Sequence, residues 1–393
     1  MSSDRSSDRF AWLAAGLQKL SADGLRRERR LVVSLPEGRC EIAGRRLWNF
    51  ASNDYLGLSH HPGVIEAARA ALAEGVGAGA SALVAGRGPW HERLEERIAA
   101  FEAQEAAVIF PTGYAANLGA LTALAAPGDV VCCDRLNHAS LVDAGRLSGA
   151  RLRVYRHDRL DGLARELAKA SAARRRFIVT DGLFSMDGDA APLPELAELA
   201  DQHDALLVVD EAHGTGVFGR DGRGIAEWQG VEQRVAVRVG TLSKAVGVLG
   251  GFVAGPRVLI DHLWNTARTQ IYSTALPAAL CAAACAAFDV IEQEPERRMH
   301  LLATAERFRN ELVAAGLRIP PGCVGPIVPI LLDDPRRAVR IAAELETQGF
   351  LTAAIRPPTV PRGTSRLRIT LTAAHPGHAV AALAQAVIGL ATD

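Results

Sequence analysis

Three of the 393 residues are lysines, Lys19, Lys169 and Lys244, so chemistry that needs a primary amine has few seats in a chain whose positive charge is otherwise arginine. Lys19 lies off the Phe10, Leu13, Leu17, Leu20 stripe of an N-terminal helical pattern, and Lys169 follows Glu166 by three on the polar face of another. Both read as solvated charges. Lys244 stands instead in Val-Gly-Thr-Leu-Ser-Lys-Ala-Val-Gly, just beyond the apolar run Val235–Val239 and among small residues. An amine withdrawn from water there loses charge stability and becomes a nucleophile and a base. A lysine snorkelling from a strand end accounts for the same local context equally well.

Neighbouring motifs shift that balance. The run Leu206–Val209 leads into Asp210-Glu211-Ala212-His213, a carboxylate at a strand end and an imidazole three residues on. Alone, such an aspartate is often a helix cap and such a histidine structural. Ligands of open α/β sheets bind beyond the carboxyl ends of the strands, so Asp210, His213 and Lys244 can converge on one crevice. Together they suit pyridoxal 5′-phosphate (PLP), which needs a lysine for attachment and a carboxylate to keep its pyridine nitrogen protonated. Gly113 and Tyr114, opening a helical stretch after Val108–Phe110, offer amides for a phosphate. Thr241 adds a hydroxyl near Lys244. His138 can stack on a flat ring or be a plain loop histidine.

These groups need a frame. Short apolar runs at Ala107–Phe110, Val130–Cys133, Phe177–Thr180, Leu206–Val209, Val235–Val239 and Gly251–Ala254 alternate with helix-periodic segments such as Leu160, Leu163, Leu167 and Leu193, Leu196, Leu199. Strands buried on both faces with helices between them predict a mainly parallel α/β sheet. Three parts are expected: an N-terminal segment 1–48 of polar tail plus helix, a large α/β domain 49–288, and a smaller α+β domain 289–393.

Gly77-Ala-Gly79-Ala-Ser-Ala82 fits a loose dinucleotide-binding pattern but follows a helix instead of a strand, which argues against NAD. No histidine pattern supports a metal site. The 44 basic and 44 acidic side chains cancel, which leaves nothing to drive binding to nucleic acid. The six cysteines lack CxxC or framework spacing and read as free thiols in a reducing compartment. MSSDRSSDR has neither the apolar core of a secretory signal nor the acid-poor character of a transit peptide, and Ala275–Phe288 is too short to span a bilayer. A cytoplasmic protein free of the membrane is expected.

Segments spread over nearly the whole chain resemble the α-oxoamine synthases: NFASNDYLGL (Asn49–Leu58), TGYAAN (Thr112–Asn117), DRLNHAS (Asp134–Ser140), DGLFSMDGD (Asp181–Asp189), VDEAHGTG (Val209–Gly216), TLSK (Thr241–Lys244), IYST (Ile271–Thr274) and AIRPPTVPRGTSRLRIT (Ala354–Thr370). The resemblance implies a PLP enzyme of the aspartate-aminotransferase fold (fold type I) that is a homodimer with its active site at the interface. It implies that Lys244 attaches the cofactor and takes the Cα proton, that Asp210 pairs with the pyridine nitrogen, that His213 and Ser185 lie at the ring oxygen, and that His138 stacks on the ring. Gly113, Tyr114 and Thr241 would hold the phosphate, with Thr274 from the other subunit. Arg356 would bind the amino-acid carboxylate, with Asn53, Thr359 and Arg26 on the substrate side.

The reaction implied is decarboxylative condensation of an amino acid with an acyl thioester. The Ile355–Pro361 segment favours L-alanine and a pimeloyl thioester, on coenzyme A or acyl carrier protein, as in biotin biosynthesis. A sister synthase using glycine or serine is the alternative, of the 2-amino-3-ketobutyrate CoA ligase, 5-aminolevulinate synthase or serine palmitoyltransferase type. A non-catalytic ligand-binding α/β protein is a further one, against which the joint presence of Lys244, Asp210, His213 and His138 argues.

Overall fold

A computed structural model describes residues 9–391. After a helix, Ala11–Ala22, the chain forms an antiparallel meander of β1 (Val33–Leu35), β2 (Arg39–Ile42) and β3 (Arg45–Asn49). The N-terminal segment is therefore more than the expected tail plus helix. Its strands are three to five residues long and rich in arginine, with faces left partly in solvent, so no apolar alternation marks them.

The large sheet follows the expected runs. It contains β4 (Ala106–Phe110), β5 (Val130–Asp134), β6 (Arg151–Tyr155), β7 (Arg176–Asp181), β8 (Ala205–Asp210), β9 (Val237–Thr241) and β10 (Gly251–Gly255) in the spatial order β4-β10-β9-β8-β7-β5-β6. From β9 to β6 every pairing is parallel, while β10 runs antiparallel to both β9 and β4. Successive residues of one strand feed two separate apolar layers. Leu207 and Val209 enter one layer and Val208 the other, as do Ile178 and Val179 of β7. Helices must therefore cover both faces, and the strands read as continuous apolar runs.

β9 lies two residues beyond the run read from the sequence, which makes Thr241 a strand terminus three residues before Lys244. β6 carried no signal because it is an edge strand with four of five side chains at least partly exposed.

The remaining strands are β11 (Ile327–Asp333), β12 (Phe350–Leu351), β13 (Ala353–Ile355) and β14 (Ser365–Thr370). β11, β14 and β13 form an antiparallel sheet, whereas β12 leaves it to pair in parallel with β3, so the N-terminal meander shares a sheet with the C-terminal part. The helix Ala278–Gln293 runs through residues 288 and 289, and Glu296–Ala314 follows with Leu301, Ala305, Phe308 and Leu312 buried. No helix among the described residues is long and apolar enough to cross a membrane.

Candidate active site

β5, β7 and β8 end in Asp134, Asp181 and Asp210, and β9 ends in Thr241, all on one edge of the sheet. Above them opens a cavity of about 190 Å³. Eight of the residues singled out from the sequence line it: Gly113, Tyr114, His138, Ser185, Asp210, His213, Thr241 and Lys244. This edge is where the parallel architecture concentrates ligand contacts.

Asp210 is fixed on both oxygens. Asn117 Nδ2 donates to Oδ2 at 2.6 Å, and the Ala212 amide donates to Oδ1 at 2.8 Å. The same Asn117 nitrogen donates to Ser140 Oγ (2.9 Å), which lies 2.7 Å from His138 Nδ1. A single amide thus links the strand-end carboxylate to the imidazole across the cleft. Asp181 sits directly beside Asp210 in the β7–β8 register. Its Oδ2 accepts from the His138 amide at 3.1 Å, while its Oδ1 is buried without a partner. Burial pushes the Asp181 carboxyl well above its ordinary range, and the neighbouring Asp210 charge adds to this.

Lys244 is half-buried at the floor. Burial lowers its ammonium from 10.5 to about 8, with Arg368 pushing the same way and Asp210 and Asp181 opposing. A snorkelling amine would keep the proton affinity of a free ammonium, whereas burial lowers this one. His213 is pulled well below the usual imidazole range, first by burial and then by Lys244 and Arg368, and its Nδ1 lies 2.5 Å from the Tyr55 hydroxyl. His138 is also lowered, chiefly by burial.

The helix Gly113–Leu124 starts at the cleft. Thr112 caps it by accepting from the Ala115 amide, so the Gly113 and Tyr114 amides are first-turn donors with no intrahelical partner. A Cβ on Gly113 would stand 3.1 Å from Thr241 Cβ. Behind it, a Cβ on Gly251 would come within 2.5 Å of the Thr112 carbonyl oxygen. Glycine at both positions lets the helix terminus, with its partial positive charge, close onto β9 and β10. Thr241 and Ser243 hydroxyls, 2.7 Å apart, complete this corner.

Five expected residues lie elsewhere. Arg356 does not line the cleft, because its guanidinium is taken by the Gly24 and Arg26 carbonyl oxygens. Thr359 accepts from Arg27 in the same outlying cluster, next to the exposed Arg26. Thr274 lines a separate small cavity with Phe110 and Gln270 and forms a bridge with Ser81. Asn53 stands one step from the cleft, accepting from Tyr55 (3.4 Å) and from Arg368 (3.2 Å).

Arg368 was not singled out, although it lies in the quoted segment Ala354–Thr370. On β14 it donates to the Ser185 carbonyl oxygen at 2.7 Å and acts electrostatically on both Lys244 and His213. Its alternation with Arg366, two residues earlier on a strand buried throughout, was the available signal. Asn117 was also missed, since an amide in mid-helix advertises nothing.

A fold and site of this kind define a PLP-type α/β enzyme. The chain belongs to the aminotransferase class I and II family, whose model matches residues 45–387, and within it stands with the 8-amino-7-oxononanoate synthases. Curated relatives of that name from Alkalilimnicola ehrlichii and Anaeromyxobacter dehalogenans are 51% and 50% identical, covering 92% and 93% of this chain and 93% and 91% of their own. Among solved structures, Sphingomonas wittichii serine palmitoyltransferase matches with a TM-score of 0.91 at 31% identity, covering 97% of each chain. The 8-amino-7-oxononanoate synthase of Francisella tularensis matches with 0.76 at 27% identity, covering 87% of this chain and 97% of that one.

Proposed function

We propose that the chain is a PLP enzyme that joins L-alanine to a pimeloyl thioester, carried on coenzyme A or acyl carrier protein, to give 8-amino-7-oxononanoate, carbon dioxide and free thiol in biotin synthesis. The observation that carries this reading is the meeting of Lys244, Asp210 and His138 in one cleft of a chain about half identical to enzymes of that name. The donor set fits the cofactor. An amine with lowered proton affinity, a carboxylate held at a strand end, an unpartnered buried Asp181 oxygen and a helix terminus open to an anion are what a flat cationic ring with one phosphate requires.

When bound, PLP supplies the electron sink for the pair left at Cα. Lys244 would hold the cofactor and would take the alanine Cα proton; an ammonium value of about 8 suits a base working near neutrality. Asp210, its orientation fixed by Asn117 and Ala212, would accept the pyridine N–H. Gly113, Tyr114 and Thr241 would hold the phosphate, Ser185 and His213 would hold the ring oxygen, and His138 would cover the ring face. Arg368 is assigned the alanine carboxylate in place of Arg356, because it is the guanidinium that acts on Lys244. Arg26, Asn53 and Thr359 remain on the substrate side. The new bond joins Cα to the thioester carbonyl carbon, the thiol leaves, the carboxylate departs as carbon dioxide, and a proton returns to Cα.

A second copy is part of the reading. Thr274 lies away from its own chain's cleft, and Val76, Val84 and Tyr272 are left 82%, 79% and 71% exposed. A homodimer that covers them and brings Thr274 to the partner's phosphate accounts for both. The reading places the protein in the cytoplasm, where its six free cysteines would stay reduced.

The test is thiol release by the PLP-loaded protein from pimeloyl-CoA and from pimeloyl-acyl carrier protein, with alanine, glycine or serine. Release with alanine on at least one carrier is expected. Release only with glycine or serine would move the chain to a sister synthase.

A further inference from the structure

Two side chains that line the cleft ride on loops, His138 on the turn after β5 and Ser185 on the loop between Gly182 and Asp189. His157, just past the end of β6, reaches between them. Its Nδ1 lies 2.9 Å from Asp134 Oδ2 and its Nε2 lies 2.7 Å from Asp189 Oδ2. A carboxylate on each ring nitrogen is satisfied at both ends only when both nitrogens carry hydrogen, so the geometry requires an imidazolium.

Each carboxylate is in turn tied to a loop. Asp134 Oδ1 accepts from the Leu136 amide at 2.8 Å, two residues before His138. Asp189 closes the loop around Ser185: its carbonyl oxygen accepts from the Phe184 amide at 2.9 Å, and its backbone bridges Cys323. The Phe184 ring meets His157 edge-on with centroids 4.4 Å apart, which fixes the imidazole's tilt.

We propose that His157 is a positioning residue, an imidazolium clasp that sets the spacing of the His138 turn and the Ser185 loop across the cofactor cleft. This rests on the function proposed above, in which those two side chains touch the cofactor ring. The charged groups facing His157 are Asp134 from β5 and Asp189 from the loop, with the Tyr155 phenol beside Asp134. Burial pulls the imidazole down, but the hydrogen bonds and charges of the two carboxylates outweigh it and raise it to about 10. The clasp is therefore closed throughout the neutral range.

The experiment uses the holoenzyme. With nitrogen-15-labelled histidine, His157 should show two ring N–H signals that persist at a pH of about 8.5, well above the ordinary imidazole value. His157→Gln should lower kcat roughly 10- to 100-fold, the scale of a catalytic group displaced by about an ångström, while KM for alanine stays within about twofold and the visible circular dichroism of the bound cofactor falls. Adding Asp189→Asn to His157→Gln lets two neutral amides pair and should recover at least about fivefold of the lost kcat. A single ring N–H in the wild type, a kcat within about twofold of wild type in His157→Gln, or no recovery in the double variant would each overturn the proposal, whatever the melting temperature does. Should His157→Gln fail to fold, the nitrogen signals and the double variant decide the matter. Wild-type holoenzyme that releases no thiol would defeat the proposed function and leave the nitrogen-signal test standing.

Discussion

Replacing Lys244 by methionine should make the cofactor-free protein more stable while abolishing turnover. The amine falls from 10.5 to about 8 on folding, with burial the largest cause. At 1.36 kcal/mol for each pH unit, that fall costs the folded state about 3 kcal/mol when the amine is charged. The folded value lies below the unfolded one, so between pH 8 and 10.5 the unfolded chain holds a proton that the folded chain has released. Wild-type stability therefore rises with pH across that window, and the full cost is present below it. Methionine keeps the length of the side chain and removes the charge. Urea unfolding of the cofactor-free proteins should place Lys244→Met about 3 kcal/mol above wild type at pH 6 to 7, with the gap closing near pH 10.5 and above. A variant no more stable than wild type at pH 7, or a gap that does not change with pH, would refute the argument that the cleft stores free energy at this amine. Measurable thiol release by the variant would refute the role assigned to Lys244.

Asp210→Asn removes the carboxylate proposed to keep the pyridine nitrogen protonated, and both thiol release and exchange of the alanine Cα proton should fall by at least about 100-fold; near-normal exchange would contradict the role. Gly251→Ala drives a Cβ into the Thr112 carbonyl and should lower PLP affinity on the order of tenfold by forcing the helix terminus off the phosphate, as titration of the cofactor-free variant would show. Arg368→Met should raise KM for alanine about 10- to 100-fold, the worth of a hydrogen-bonded charge, whereas Arg356→Ala should change it little; the opposite order would return the carboxylate to Arg356.

Where the sequence pattern was strong, the structure follows it. Six mainly apolar runs became six strands of the central sheet because burial on both faces favours apolar residues at every position, broken in β9 by the buried Arg238, a pattern visible without knowing any partner strand. β6 escaped because an edge strand keeps Arg151 and Arg153 in solvent, and β1 to β3 escaped because they are short and partly in solvent, with β3 completed by β12 about 300 residues away in the chain. The site divides in the same way. Lys244, Asp210 and His213 sit at strand ends inside short motifs, where local order is enough to place them. Asn117 and Arg368 act by reaching across from other elements, and the sequence does not tell which way a mid-helix amide or a strand arginine points. Arg356 shows the converse: its motif was legible, but its guanidinium is taken by backbone carbonyls of a segment some 330 residues earlier.

Three aspartates at neighbouring strand ends pose a problem that the structure solves by giving each a different partner. Asp134, Asp181 and Asp210 terminate β5, β7 and β8, and three adjacent buried carboxylates would repel one another and destabilise the fold. Asp134 Oδ2 lies 2.9 Å from His157 Nδ1, where the proposed imidazolium would match its charge. Asp210 accepts from two N–H groups fixed by a helix and a turn. Asp181 accepts from the His138 amide through Oδ2 and has no partner at Oδ1 among the described residues, and burial together with the charge of Asp210 pushes it well above the carboxylate range. The asymmetry decides which aspartate can do the chemistry. A carboxylate held by fixed donors on both oxygens has a set orientation beside a pyridine nitrogen, while a neighbour with one unpartnered oxygen does not. Although the sequence presents Asp181 and Asp210 in equivalent positions, the hydrogen bonds hold Asp210 on both oxygens, which favours it for the proposed acceptor role, and place Asp181 under the His138 turn.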